Sequence, residues 1–160
     1  MKSEDYFMFY IKQFIYGFLS TMGFSIIFNT SRESISKSSL NGAIGWIIYI
    51  VLTDTLDSSV IAAFFGALSV GILGELFARF FKKPATIFII PGIVPLVPGS
   101  GMYYTMLAIT EKRFIEAADL GSETLFIAAS IASALIVSIS IGKLLRTSNF
   151  KKLNKKKKNF

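Results

Sequence analysis

Residues 89–104 read Ile-Ile-Pro-Gly-Ile-Val-Pro-Leu-Val-Pro-Gly-Ser-Gly-Met-Tyr-Tyr. Pro91, Pro95 and Pro98 stand with Gly92, Gly99 and Gly101 inside an otherwise apolar run. Each proline removes a backbone N–H and clashes with the carbonyl four residues back, so no regular helix passes through the block. In hydrocarbon a freed carbonyl is costly, and a broken helix persists only when buried in protein or lining a wet cavity. Two readings follow. In one, the block is a discontinuous span at a substrate site, as in secondary transporters. In the other, it is a re-entrant turn or an external hairpin with no ligand.

The first reading divides the chemistry. Carbonyls freed around Pro91 to Pro98 would accept hydrogen bonds from an amine or coordinate a cation. A half-helix starting at Gly99 to Gly101 would turn its free N–H groups toward a carboxylate. Ser100 would add a hydroxyl donor and cap that half-helix. The substrate-lining candidates are Pro91, Gly92, Pro95, Pro98, Gly99, Ser100 and Tyr103, with Tyr104 beside them. Glu75 and Arg79 lie four residues apart on one helix face, which predicts an ion pair. That pair would either anchor a helix end or leave Glu75 to relay a proton. Asn29, Asn41, Asp54 and Trp46 carry weaker signals.

Positioning these groups falls to the apolar bulk of the chain. The 160 residues are 52% hydrophobic and 17% charged, with a mean hydropathy of +0.58. The absence of Cys and His excludes a disulfide framework, thiol or Ser-His-Asp catalysis and the usual zinc sites. A lipid-modifying enzyme would need paired intramembrane acids or a metal cluster, so no enzyme, cofactor or metal is expected. The net charge of +7 does not point to nucleic acid, because six of the 17 Lys and Arg sit at Lys151, Lys152 and Lys155 to Lys158. A lysine run beside an apolar segment reads as a cytoplasmic membrane flank.

About 20 apolar residues cross a bilayer. The expected fold is all-α: a polytopic membrane bundle of about five spans, near 6–28, 40–56, 58–81, 85–109 and 122–145. The fourth is broken by Pro and Gly. Residues 1–146 form the membrane domain and 147–160 a Lys-rich cytoplasmic tail. The first span has no basic flank and no small-residue cleavage site, so it reads as a retained helix. With the N-terminus outside, 13 Lys and Arg fall on the cytoplasmic side against 4 outside. Five spans and a cytoplasmic C-terminus agree with that bias.

Lipid tails do not drive helices together, so small residues mark the packing faces. Ala63, Ala67 and Gly71 recur at i, i+4, i+8, as do Ser130, Ala134, Ser138 and Gly142. These stripes would pack within the chain, against another copy or against a partner.

The sequence resembles the small integral-membrane subunit of the threonine/serine exporter family. The likeness lies in Gly23-Phe24-Ser25-Ile26-Ile27-Phe28-Asn29, Gly42-Ala43-Ile44-Gly45-Trp46 and Phe65-Gly66-Ala67-Leu68-Ser69-Val70-Gly71-Ile72-Leu73-Gly74-Glu75 with Ala78-Arg79. It continues through Lys83-Pro84-Ala85-Thr86, the block from Ile90 to Gly99, and Tyr103. It covers nearly all of the chain except the lysine tail. The resemblance implies a multi-pass inner (plasma) membrane protein. It also implies a partner, the larger subunit of the same family carried on a separate chain. The activity implied is export of threonine and serine or, in one branch, of the dicarboxylate succinate. The alternative is a membrane scaffold subunit that touches no substrate. Besides the bilayer and that subunit, a homo-oligomer is the remaining partner open to the chain.

Overall fold

The structure, a computed structural model, describes the backbone of residues 3–157 and the side chains of residues 6–142. It is all-helical. Six helices follow one another: α1 (Ser3–Ile27), α2 (Arg32–Leu56), α3 (Ser59–Phe81), α4 (Thr86–Ile93), α5 (Gly99–Thr110) and α6 (Phe114–Lys157), with a 3₁₀ turn at Val94–Leu96 between α4 and α5. The expected cytoplasmic tail, 147–160, falls on residues whose side chains lie outside those described.

Among the described residues, three helices are long and apolar enough to cross a membrane: α2, α3 and the stretch Phe114–Gly142 of α6. The pair Thr86–Leu96 and Gly99–Thr110, bent by 47°, brings the count to four if it is one span. The expectation was five. The missing one is α1, which has the length but carries Lys12 and Gln13 along its course. The second span begins earlier than expected because the serine-rich stretch before Leu40 is helix, not loop. Ser34, Ser38 and Ser39 are fully buried there.

Inter-helix contacts fix the directions. Thr21 meets Gly42 and Gly17 meets Trp46, so α1 and α2 are antiparallel. Gly45 meets Val70 and Gly66 meets Tyr49, so α2 and α3 are antiparallel too. Gly101 against Thr124 and Gly121 against Thr105 make α5 and α6 antiparallel. Ser130 donates to the Val60 carbonyl at 2.7 Å, and Gly71 lies against Ser138, so α3 and α6 run parallel. A single traverse by the bent α4–α5 pair between them accounts for that parallel arrangement.

The core is built from small residues, as close helix approach in lipid requires. Ala63, Ala67, Val70, Leu96, Ile131 and Ala134 form its centre. A Cβ on Gly42 would collide with the Thr21 side chain, on Gly71 with Ser138, and on Gly74 with Ile89. A Cβ on Gly66 would stand 3.1 Å from the Gly45 carbonyl. Of the twelve glycines, all but Gly23 and Gly99 lie against a neighbouring side chain or backbone. The large apolar residues point outward instead: Phe80, Ile115 and Leu125 are more than 70% exposed, as lipid-facing bulk is.

Four helix ends are followed by a residue in the left-handed region: Asn29 (φ 52°), Asp57 (φ 49°), Lys82 (φ 53°) and Lys112 (φ 61°). None is glycine. In α3 the Lys82 N–H closes onto the carbonyls of Ala78 and Arg79, satisfying orphan acceptors at the helix end.

Candidate functional site

The proline block is an interruption held in place by its neighbours. Pro91 lacks the N–H that would bond the Ile87 carbonyl four residues back. Ser38 on α2 supplies the missing donor: its hydroxyl bonds the Ile87 carbonyl at 2.9 Å. One turn along, Asn41 Nδ2 donates to the Phe88 carbonyl of α4 at 3.1 Å and to the Val70 carbonyl of α3 at 3.0 Å. Asn41 is fully buried, and its Oδ1 has no partner among the described residues. With both amide hydrogens committed to carbonyls, the assignment of Nδ2 and Oδ1 is fixed by the bonding itself.

Beyond the interruption the backbone opens a cavity of about 460 Å³. Its walls include Pro95 to Gly101, Tyr104 of α5, Trp46 and Tyr49 of α2, and Glu123 and Thr124 of α6. Trp46 is fixed by stacking on Tyr49, with ring centroids 5.4 Å apart, and by donating to Gln13 Oε1 at 3.0 Å. Helix α5 starts at Gly99 with Pro98 at its N-cap and no side chain bonding its first-turn N–H groups. Those amides border the cavity at Ser100 and Gly101. Among the described residues, Glu123 is the one carboxylate in the cavity wall.

The sequence candidates therefore separate. Pro95, Pro98, Gly99 and Ser100 line the cavity. Pro91 and Gly92 do not: both are buried, with Gly92 packed on Val70 and Asn41. Tyr103 is 63% exposed and stands off the cavity, which takes Tyr104 instead, because the helical turn of α5 aims adjacent residues apart. Ser100 does not cap α5; it is the second residue of the helix, inside the position a capping side chain occupies. Trp46, Tyr49, Glu123 and Thr124 join from α2 and α6. Of these only Trp46 carries a signal in the sequence, a weak one, because aromatic, acidic and hydroxyl residues are common at span ends.

Glu75 and Arg79 form no ion pair with each other. Both turn across the α3–α6 seam. Arg79 donates to the Gly142 carbonyl, and Glu75 packs on the same residue, where a Cβ would stand 2.7 Å from its carboxyl carbon. Gly142 has no side chain to hold them off, so both reach across. The two stripes meet at the same seam: Ala63, Ala67, Ala134 and Ser138 are buried, Gly71 faces Ser138, and Ser130 bonds the backbone of α3.

Charge is separated by ends of the bundle. Arg32, Lys37, Arg79, Lys82 and Lys83 gather where α2 begins and α3 ends. Lys83 bonds Ser31, Ser34 and Glu33, the last at 3.2 Å, and Lys37 sits 3.8 Å over the Phe81 ring. Asp54, Asp57, Glu111, Glu116, Asp119 and Glu123 gather at the opposite end. There Arg113 bridges Glu116 and Glu111, and these hydrogen bonds push its guanidinium pKa up from the ordinary arginine value.

A helical membrane bundle with a broken helix beside a cavity is the architecture of a transport protein. The chain belongs to the threonine/serine exporter family, ThrE, whose sequence profile matches residues 13–141. It is a multi-pass membrane protein of that transport class. No solved structure matches it.

Proposed function

We propose that this chain is the small membrane subunit of a secondary exporter. It moves threonine or serine out through the plasma (inner) membrane, driven by an ion gradient, with a larger subunit of the same family as its partner. The basic end faces the cytoplasm, in keeping with the positive-inside rule. The observation that carries this reading is the cavity at the helix break, which Ser100 and Gly101 of the first turn of α5 line together with Glu123. Backbone N–H groups at a helix start favour a carboxylate, and an acid favours an ammonium. A zwitterion presents both.

The same lining argues for an amino acid over succinate. A dicarboxylate brings a second negative charge, and among the described residues no Lys or Arg stands in the cavity wall to meet it. The test is export of labelled threonine, serine and succinate from cells carrying the gene pair and from cells lacking it. Equal export of all three with and without the pair rejects the reading. Gly99→Leu, which fills open space beside the cavity, separates lining from scaffolding. Export lost from an assembled complex supports lining, and undiminished export supports a scaffold.

A further inference from the structure

Residues 34, 38, 41, 42, 45, 46 and 49 recur at three- and four-residue intervals along one face of α2. At the acidic end this face carries Trp46 and Tyr49 into the cavity. Toward the basic end it meets α4, and the character of the contact changes. The α3–α6 seam is centred on Ala67, Ile131 and Ala134. The α2–α4 seam instead holds fully buried Asn41, Ser38 and Ser34 in succession. Ser38 and Asn41 bond the α4 backbone, and Lys83 closes the end on Ser34, Ser31 and Glu33.

Midway stands the unpartnered Oδ1 of Asn41, between the cavity and the ion pair. A buried acceptor with no donor is a cost that a permanent seal has no reason to carry. A surface that water or solute wets in another state of the protein does have a reason. The hydrogen bonds that tie this seam, from Ser38 and Asn41 to the α4 backbone, are ones water can replace when it parts, which the contacts of an Ala–Ile seam are not.

We propose that the α2–α4 seam is the closed basic-end half of the substrate path, with Asn41 as its central polar contact. The path continues from the cavity past Asn41 and Ser38 to the Lys83–Glu33 pair, which is its latch at the basic end. Parting of α4 from α2 opens it, and Asn41 Oδ1 then accepts from water or from the substrate ammonium. This rests on the exporter reading for its substrate, but the opening of the seam is tested without substrate.

Because the chain has no Cys, introduced thiols report cleanly. Ser34→Cys with Lys83→Cys, joined by a short reducible bifunctional thiosulfonate in membranes that hold the full complex, ties the latch shut. The expected result is that cross-linking abolishes whatever threonine export the double variant shows beforehand and that reduction restores it, while the reagent leaves each single variant at its own untreated rate. Undiminished export by the cross-linked protein overturns the proposal.

Separately, Ser38→Cys and Asn41→Cys are exposed to a membrane-impermeant thiol reagent from the basic side in sealed vesicles. Labelling there, slowed by threonine, is expected. Complete protection from both sides overturns the proposal. If wild-type cells export no threonine, the exporter reading falls, and this labelling by itself still decides the seam.

Discussion

The Ser38 hydroxyl donates at 2.9 Å to the Ile87 carbonyl, the acceptor that Pro91 deprives of its helical partner. One residue repairs what the other breaks, from a different helix. The interruption in α4 is thus sealed on the protein side, and the cavity begins only past the next proline, at Pro95.

That relationship gives a coupled prediction. Ser38→Ala leaves the Ile87 carbonyl short of a donor in the buried seam and should lower stability by about 1–3 kcal/mol. In a Pro91→Ala background the helix regains its own N–H for that carbonyl, so the cost of Ser38→Ala should shrink. Thermal unfolding of the four proteins in detergent measures the cycle, and additive effects would refute the coupling.

Two glycines should respond unequally to the same change. At Gly42 a Cβ collides with Thr21, so Gly42→Ala should destabilise the α1–α2 contact by about 1–3 kcal/mol. At Gly99 nothing lies within 4 Å, so Gly99→Ala should leave stability nearly unchanged. Melting temperatures of the two purified variants provide the comparison.

The α3–α6 seam should fail at Gly142. Gly142→Val places a branched side chain against the Glu75 carboxyl and should part α6 from α3 at that end. Limited proteolysis of membranes is expected to cut the variant sooner than the wild type, and equal rates would argue against the contact.

Lys82 ends α3 with φ 53°, a conformation glycine adopts without strain. Lys82→Gly should stabilise the helix end by about 1 kcal/mol. A fall in melting temperature would show that the lysine's charge outweighs its backbone strain.

The Arg113 bridge should be silent to pH. Its folded pKa is raised, so its contribution is complete below the ordinary arginine value, far above physiological pH, and is lost only as pH climbs past the folded value. Its guanidinium lies open to water, where ion pairs contribute little. Arg113→Ala should leave melting temperature and its pH profile unchanged across the physiological range.

By itself the sequence determined the class of fold, the broken helix and the two small-residue stripes. Composition and proline chemistry act locally: an apolar run of spanning length must hide its backbone in a helix, and Pro91, Pro95 and Pro98 must interrupt one wherever the chain lies. Partnership was decided by tertiary structure. Ser34, Ser38 and Ser39 look like loop residues until α4 lies across them, and Asn41 looks unremarkable until α3 and α4 offer it carbonyls. Glu75 and Arg79 sit at the spacing of a pair, yet both reach for Gly142 because a parallel helix brings bare backbone within range. Tyr104 rather than Tyr103 enters the cavity because the phase of α5 is set by how it packs on α6. Spacing along a chain fixes which residues share a helix face. Only the packing of one helix on another fixes what that face meets.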